Sequence, residues 1–428
     1  MTDNMYPSDI QTIDAPTILP PSTVSKNRTL SDLPIELLML IFVPLRPVFK
    51  QTVPPNSAAE EELFLNALCL FRQDMTRFAE FRRICIATRV TVTSILYREV
   101  VICFTSSTPV ETVANLFNSI APHVRSLKIY GPWYLKNYSS VRFCRLDEMS
   151  VAIGCGLNRC CGLNTLECFG CHKTFTKRHW LSKFAPTIQS TVTHLTFCAH
   201  GIDLSYALVG MGRSLEVLEI LDWCIDDVYR KNYTLLSSQT PHFPAELPNL
   251  KHLTLRGGTP LFAEMGQRTF PLKSLSLLNM QLGESTILDI LRIRGVGSAL
   301  TAFHTEFGSW NYNPSDSFPK DLFKAAPNLR VFRYMLQADL GFLADVPRSV
   351  QYLGFSVAIS YPLPRTMPEV VVEFLKARRR TGLRSVSILT DPARTLNYSA
   401  FVEECGELGF EVKELDRRFG IEVVLHPR

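Results

Sequence analysis

The sequence predicts an α/β repeat: a short all-helical module, then an open solenoid whose strands form one parallel, concave sheet. Three observations carry that expectation. A six-residue apolar pattern recurs down most of the chain, several links between its copies have helical spacing, and a compact helical stretch precedes the first copy.

The pattern is Φ-x-x-Φ-x-Φ, where Φ is apolar. It occupies 124–129, 163–168, 192–197, 215–220, 250–255, 272–277, 300–305, 329–334, 350–355 and 383–388, with Thr305 as the one clear lapse. Residues 97–102 also fit it. Successive middle anchors are separated by about 29 residues on average, near the top of the leucine-rich-repeat range. Apolar and polar residues alternate within each hexad, so each reads as a short strand with one buried face. Such a unit cannot bury its own apolar side, and stacking units creates a continuous core and one long surface.

The links follow. Residues 285–294 carry a serine start, then Ile287, Ile290 and Leu291, and stop at Gly295. Residues 368–380 begin with proline, place Val371, Phe374 and Leu375 on one face, and end in a basic turn before Gly382. Strand–helix–strand alternation requires parallel pairing with right-handed crossovers. The long polar links 229–245 and 309–319 belong on one rim.

Four regions result. Residues 1–29, rich in Pro, Ser, Thr and Asp, read as disordered. Residues 30–100 form the helical module, with an insertion at about 46–77 that contains one extra helix, 61–72. The repeats span 101–390, and 391–428 form a capping element of one helix, one strand and a final strand at 421–425.

Composition excludes several classes. The net charge of +5 is spread along the chain, which argues against nucleic acid as a partner. The most apolar short segment, 37–43, stops at Pro44 and is too short to cross a bilayer, so no membrane partner is expected. Twelve cysteines without a visible export signal point to reduced thiols in a cytoplasmic or nuclear protein.

In the helical module, Pro34 suits a first turn, with Ser31 or Asp32 as a cap, and Glu36 sits where the helix dipole favours a carboxylate. Leu37, Leu38, Ile41, Phe42 and Leu45 then recur at helical spacing. A second helical stretch, 78–97, carries Phe81, Ile84, Cys85, Val92, Ile95 and Leu96.

The run Leu33-Pro34-x-Glu36-Leu37-Leu38-x-x-Ile41-Phe42, followed by Ile84, Arg89 and Ile95-Leu96-Tyr97-Arg98-x-Val100, resembles the F-box. Placed ahead of the repeats, it makes the whole chain similar to fungal-type F-box proteins with irregular leucine-rich repeats. The resemblance implies a substrate-recognition adaptor of a Skp–cullin–F-box ubiquitin ligase. Leu33, Pro34, Leu37, Leu38, Ile41, Phe42, Leu96 and Tyr97 would dock the Skp-family adaptor, which joins the cullin scaffold. The repeats would hold a protein substrate. The chain would be a monomer within a larger complex, with no enzyme activity and no cofactor. The insertion departs from the family spacing. It leaves open an alternative, a leucine-rich-repeat scaffold whose degenerate F-box has no ligase association.

In each hexad the residue between the last two anchors, and the one after the last, point away from the core. The expected substrate face therefore holds Tyr130, Phe169, Glu219, Leu221, Arg256, His304 and Arg333, with Trp223 just beyond Leu221. Tyr130, Phe169 and Leu221 are expected to be exposed there, where aromatics and arginine favour binding. Cys155, Cys160, Cys161, Cys168, Cys171 and His172, with His179 beyond, form a tempting zinc set. The repeat register offers a plainer account, with Cys168 as a core anchor, so no metal is expected. The basic 376–380 reads as the solvated end of a helix. No Ser–His–Asp arrangement, phosphate-binding glycine loop or H-E-x-x-H motif is present, so no catalytic residue is expected.

Overall fold

The computed structural model describes residues 33–49, 58–103, 110–130, 144–169, 191–198, 213–221, 247–256, 271–280, 284–292, 296–307, 318–338, 340–357, 367–378, 382–390, 398–417 and 420–427. The expected disordered segment, the link 229–245, Ser31, Asp32 and Trp223 lie outside them.

Three helices come first: α1 (Ile35–Phe42), α2 (Ala58–Ala79) and, after a 3-10 turn at Glu80–Arg83, α3 (Ile86–Leu96). Helix α1 starts directly after Pro34, whose carbonyl accepts from the amides of Leu37 and Leu38 at 3.1 Å each. Helix α3 is capped by Cys85, whose sulfur accepts from the Thr88 amide at 3.3 Å. The single expected helix over 78–97 is thus broken by the tight turn.

The sheet then begins with β1 (Glu99–Cys103), followed by α4 (Val110–Ile120), β2 (Ser126–Tyr130), α5 (Cys144–Leu157), β3 (Thr165–Phe169), β4 (His194–Cys198), β5 (Val217–Leu221), β6 (His252–Arg256) and β7 (Ser274–Met280). Next come α6 (Glu284–Arg292), α7 (Val296–Ala299), β8 (Ala302–Phe307), α8 (Phe318–Ala325), β9 (Val331–Ala338), β10 (Tyr352–Val357), α9 (Met367–Arg378) and β11 (Ser385–Thr390). The chain closes with α10 (Tyr398–Glu407), β12 (Phe410–Arg417) and β13 (Gly420–Pro427). The thirteen strands among the described residues form one open sheet in the order β1 to β11, then β13 and β12. Neighbours pair in parallel as far as β11, and the last two strands are antiparallel.

Every expected hexad becomes a strand, and the middle anchors align across the sheet. Leu127 pairs with Leu166, Leu166 with Leu195, and the row runs on through Phe303 and Phe332 to Leu353 and Val386. Before each strand from β2 to β11, one carbonyl of the preceding unit accepts from two successive amides. The Lys251 carbonyl, for example, takes the Lys273 amide at 2.7 Å and the Ser274 amide at 3.0 Å. This repeated step satisfies backbone groups that stacking would otherwise bury unpaired.

The inward anchors merge into one core with the helical links. Leu127, Leu166, Leu218, Phe303 and Phe332 are buried completely. Thr305 is buried in the neighbouring row, between Leu277 and Tyr334, and its hydroxyl has no hydrogen-bond partner. At the far end, edge strand β12 exposes Glu411, Lys413 and Glu414, a charged border that discourages further strand pairing.

Candidate functional site

The face of the sheet opposite that core carries the outward residues in register. One row runs Val101, Lys128, Glu167, Thr196, Glu219, Thr254, Ser276, His304, Arg333, Gly354 and Ser387. A parallel row contains Tyr130, Phe169, Leu221 and Arg256. The strands therefore bring the expected Glu219, Leu221, Arg256, His304 and Arg333 onto one surface.

Tyr130 and Phe169 require a correction: both are buried, at 0% and 2% exposure. Their rings stack with centroids 5.1 Å apart, and Phe64 of α2 meets Tyr130 edge-on at 5.1 Å. Phe49 closes on Phe64 at 5.7 Å and on Tyr130 at 6.2 Å. Leu68 completes this second core, with Phe71, Val101 and Leu221 packed against it. The extra helix expected in the insertion is therefore present as α2, and it packs on the sheet. One stripe of α2 explains its placement: Phe64, Leu68, Phe71, Met75 and Phe78 recur every three or four residues. Its first part covers the sheet, and Met75 and Phe78 enter the core of the helical module.

Charges beneath this cover are matched. Arg46 reaches Glu99 of β1 at 3.0 Å, and Lys128 lies 3.7 Å from Glu99 and 3.3 Å from Glu167. Burial pushes the Glu167 carboxyl above its usual range despite Lys128 beside it. The pairing fixes the helical module against β1 more by geometry than by energy, since desolvation offsets much of the attraction.

The face differs farther along. Arg333 on β9 donates to Glu422 of β13 at 3.3 Å, and Ser387 donates to the same carboxylate oxygen. Gly354 makes room for that reach, because a Cβ there would lie 2.8 Å from Arg333 Cγ. His304 sits beside Arg333 in the row, and burial with the charges of Arg333 and Arg256 lowers its pKa to about 4. His304 Nε2 and Arg333 Nε are buried without hydrogen-bond partners.

The set expected to dock the adaptor divides. Leu38, Phe42 and Leu96 are buried with Phe78, Val92 and Ile95 in the module's own core, so they support the helices and present no docking surface. Leu33 and Tyr97 are partly buried against that core, and Pro34 is exposed. Leu37 and Ile41 are exposed at 46% and 44%. Elsewhere in the module Ile35, Leu40, Val43, Leu45, Ile84, Ile86 and Val90 are also exposed, with Leu40 at 71% and Ile86 at 76%. The repeated solvent-side leucines and isoleucines of 35–45 were readable as a helix apolar on more than one side.

Among the described residues no group of three or more His, Cys, Asp or Glu is placed to hold a metal ion. Cys155 and Cys161 are exposed and Cys160 and Cys168 are buried, while Cys171, His172 and His179 lie outside the described residues. Lys376 pairs with Glu404 at 2.8 Å, and Arg378 turns inward to donate to the Val346 carbonyl; Arg379 and Arg380 lie outside the described residues. No helix among the described residues is long and apolar enough to cross a membrane. No family model and no curated protein matches the chain.

Proposed function

We propose that this chain is a substrate-recognition adaptor of a Skp–cullin–F-box ubiquitin ligase, with no catalytic residues of its own. The helical module acts as an F-box and docks the Skp-family adaptor, and the leucine-rich-repeat solenoid holds a protein substrate. One observation carries the reading: among the described residues, most of the large apolar side chains left exposed lie between Ile35 and Val90, on α1, α2, α3 and the segments beside them. Leu37, Leu40, Ile41, Ile86 and Val90 stand outside a module that already has a complete core. Monomeric proteins rarely leave so much apolar surface open, and such surface marks an interaction site. The F-box-like residues supply the identity of the partner.

The test is capture of the purified chain on immobilised Skp-family adaptor. Wild type should be retained and a Leu37→Ala/Ile41→Ala double variant released. Both side chains are outside the core, so circular dichroism of the variant should match wild type. Retention of the folded variant at wild-type strength would remove the assignment.

A second reading is favoured by α2 itself. That helix sits between the two F-box-like parts and is committed to the sheet through Phe64 and Leu68. A repeat scaffold with a degenerate F-box would use α2 as a cap on its first strands and ignore the adaptor altogether.

A further inference from the structure

We propose that the outward face from β6 to β9 is a docking surface for an acidic segment of a partner protein, held by Arg256, His304 and Arg333. The proposal deepens the protein-binding half of the reading above and rests on it. Two separate features place the surface. Helix α2 and Phe49 already occupy the face over β2 and β3, where Tyr130 and Phe169 are sealed. The outward face that α2 leaves uncovered lies on the strands beyond.

The chemistry changes at the same point. Under α2, Arg46 and Lys128 are matched by Glu99 and Glu167. Between β6 and β9 the described side chains show no ion pair for Arg256 and a single one, to buried Glu422, for Arg333, and one acidic residue, Glu306 on β8, shares the row of Arg256. His304 Nε2 and Arg333 Nε are buried without partners, as Arg46 Nε is under α2, and Ser276 stands next to His304 in register with Thr254 one strand beyond. Hydroxyl, imidazole and guanidinium donors together suit carboxylate oxygens, and arginine binds them with two parallel hydrogen bonds.

The patch spans three strand spacings, about 14 Å. That is the reach of about four extended residues, which fits a short acidic run. Nucleic acid fits less well, because a phosphate backbone needs a longer track of cations.

The test uses the full chain and fluorescein-labelled octaglutamate, followed by fluorescence anisotropy, with a serine–glycine peptide of the same length as comparison. Wild type should bind octaglutamate saturably and ignore the neutral peptide. Arg256→Gln/His304→Gln leaves the Arg333–Glu422 pair intact and should bind about tenfold more weakly or worse. Arg348→Gln/Arg384→Gln removes two exposed charges elsewhere and should bind like wild type. Equal weakening in both pairs would mean diffuse charge attraction and would overturn the proposal. Failure of folded wild type to bind octaglutamate would also overturn it. Adaptor capture is read separately on the same preparations. A chain that captures the adaptor but ignores octaglutamate loses this site alone. A chain that binds octaglutamate but ignores the adaptor loses the ligase role alone and keeps the acidic-segment site.

Discussion

Replacing Phe64 with alanine probes the contact on which the layout of both surfaces depends. Phe64 is fully buried, with ring centroids 5.1 Å from Tyr130 and 5.7 Å from Phe49. Truncating a buried phenylalanine costs about 3–5 kcal/mol. The lower end applies here, because the cluster is small and α2 can settle toward the cavity. Each edge-on aromatic pair adds about 0.5–1.5 kcal/mol beyond its area. A stacked array can unfold in stages, so a single global midpoint is a poor reporter. Hydrogen exchange is the better assay. The α2 amides should lose about 3 kcal/mol of protection, while amides of β10 and β11 keep theirs. A double-mutant cycle with Tyr130→Leu should return a coupling of about 0.5–1.5 kcal/mol. No coupling, or a loss in α2 below about 1 kcal/mol, would refute the placement of α2 on the sheet.

Three further outcomes are expected. Thr305→Val should stabilise the array by about 1 kcal/mol in urea unfolding, since it removes a buried hydroxyl without a partner and keeps the shape; destabilisation would mean the hydroxyl is satisfied. His304, held at about 4, lies below an unfolded histidine, so the unfolded chain carries the extra proton between those values. Stability should therefore be complete above about pH 6.5 and fall as pH drops toward about 4. The fall should exceed that of His304→Gln by up to about 3 kcal/mol, and parallel pH profiles for the two proteins would contradict it. Thiol labelling of the native chain at neutral pH should modify Cys69, Cys155 and Cys161 and spare Cys160, Cys168 and Cys405, since burial pushes Cys160 and Cys405 up to about 12; mass spectrometry of tryptic peptides reads the difference.

The sheet was legible because its signal is repeated. Every hexad from 124 to 355 places Leu or Phe at its middle anchor, so one lapse at another anchor, Thr305, does not disturb the register. Helices α6 and α9 were readable within two residues, because their caps and apolar faces are local. The C-terminal helix and two strands also appeared as expected, but their antiparallel order is a tertiary fact with no local marker.

The failures share one cause. Outward residues were assigned exposure from strand alternation, which gives direction and says nothing of what covers a face. Tyr130 and Phe169 do point outward, and α2 lies over them. The stripe from Phe64 to Phe78 was present in the sequence and implied that the inserted helix must bury something. Its target could not be read, because a contact between residues far apart leaves no periodic trace. The residues expected to dock the adaptor mixed buried and exposed side chains of α1 for a similar reason. Leu37, Leu38, Ile41 and Phe42 are all apolar, so spacing alone does not say which pair faces the module's own core.

Titration calorimetry of the folded wild-type chain with purified Skp-family adaptor is the most direct measurement. Docking through Leu37, Ile41 and their exposed neighbours predicts saturable one-to-one binding with a negative heat-capacity change, the mark of apolar surface leaving water. Absence of binding by a chain whose circular dichroism shows it folded would contradict the adaptor role and leave a repeat scaffold.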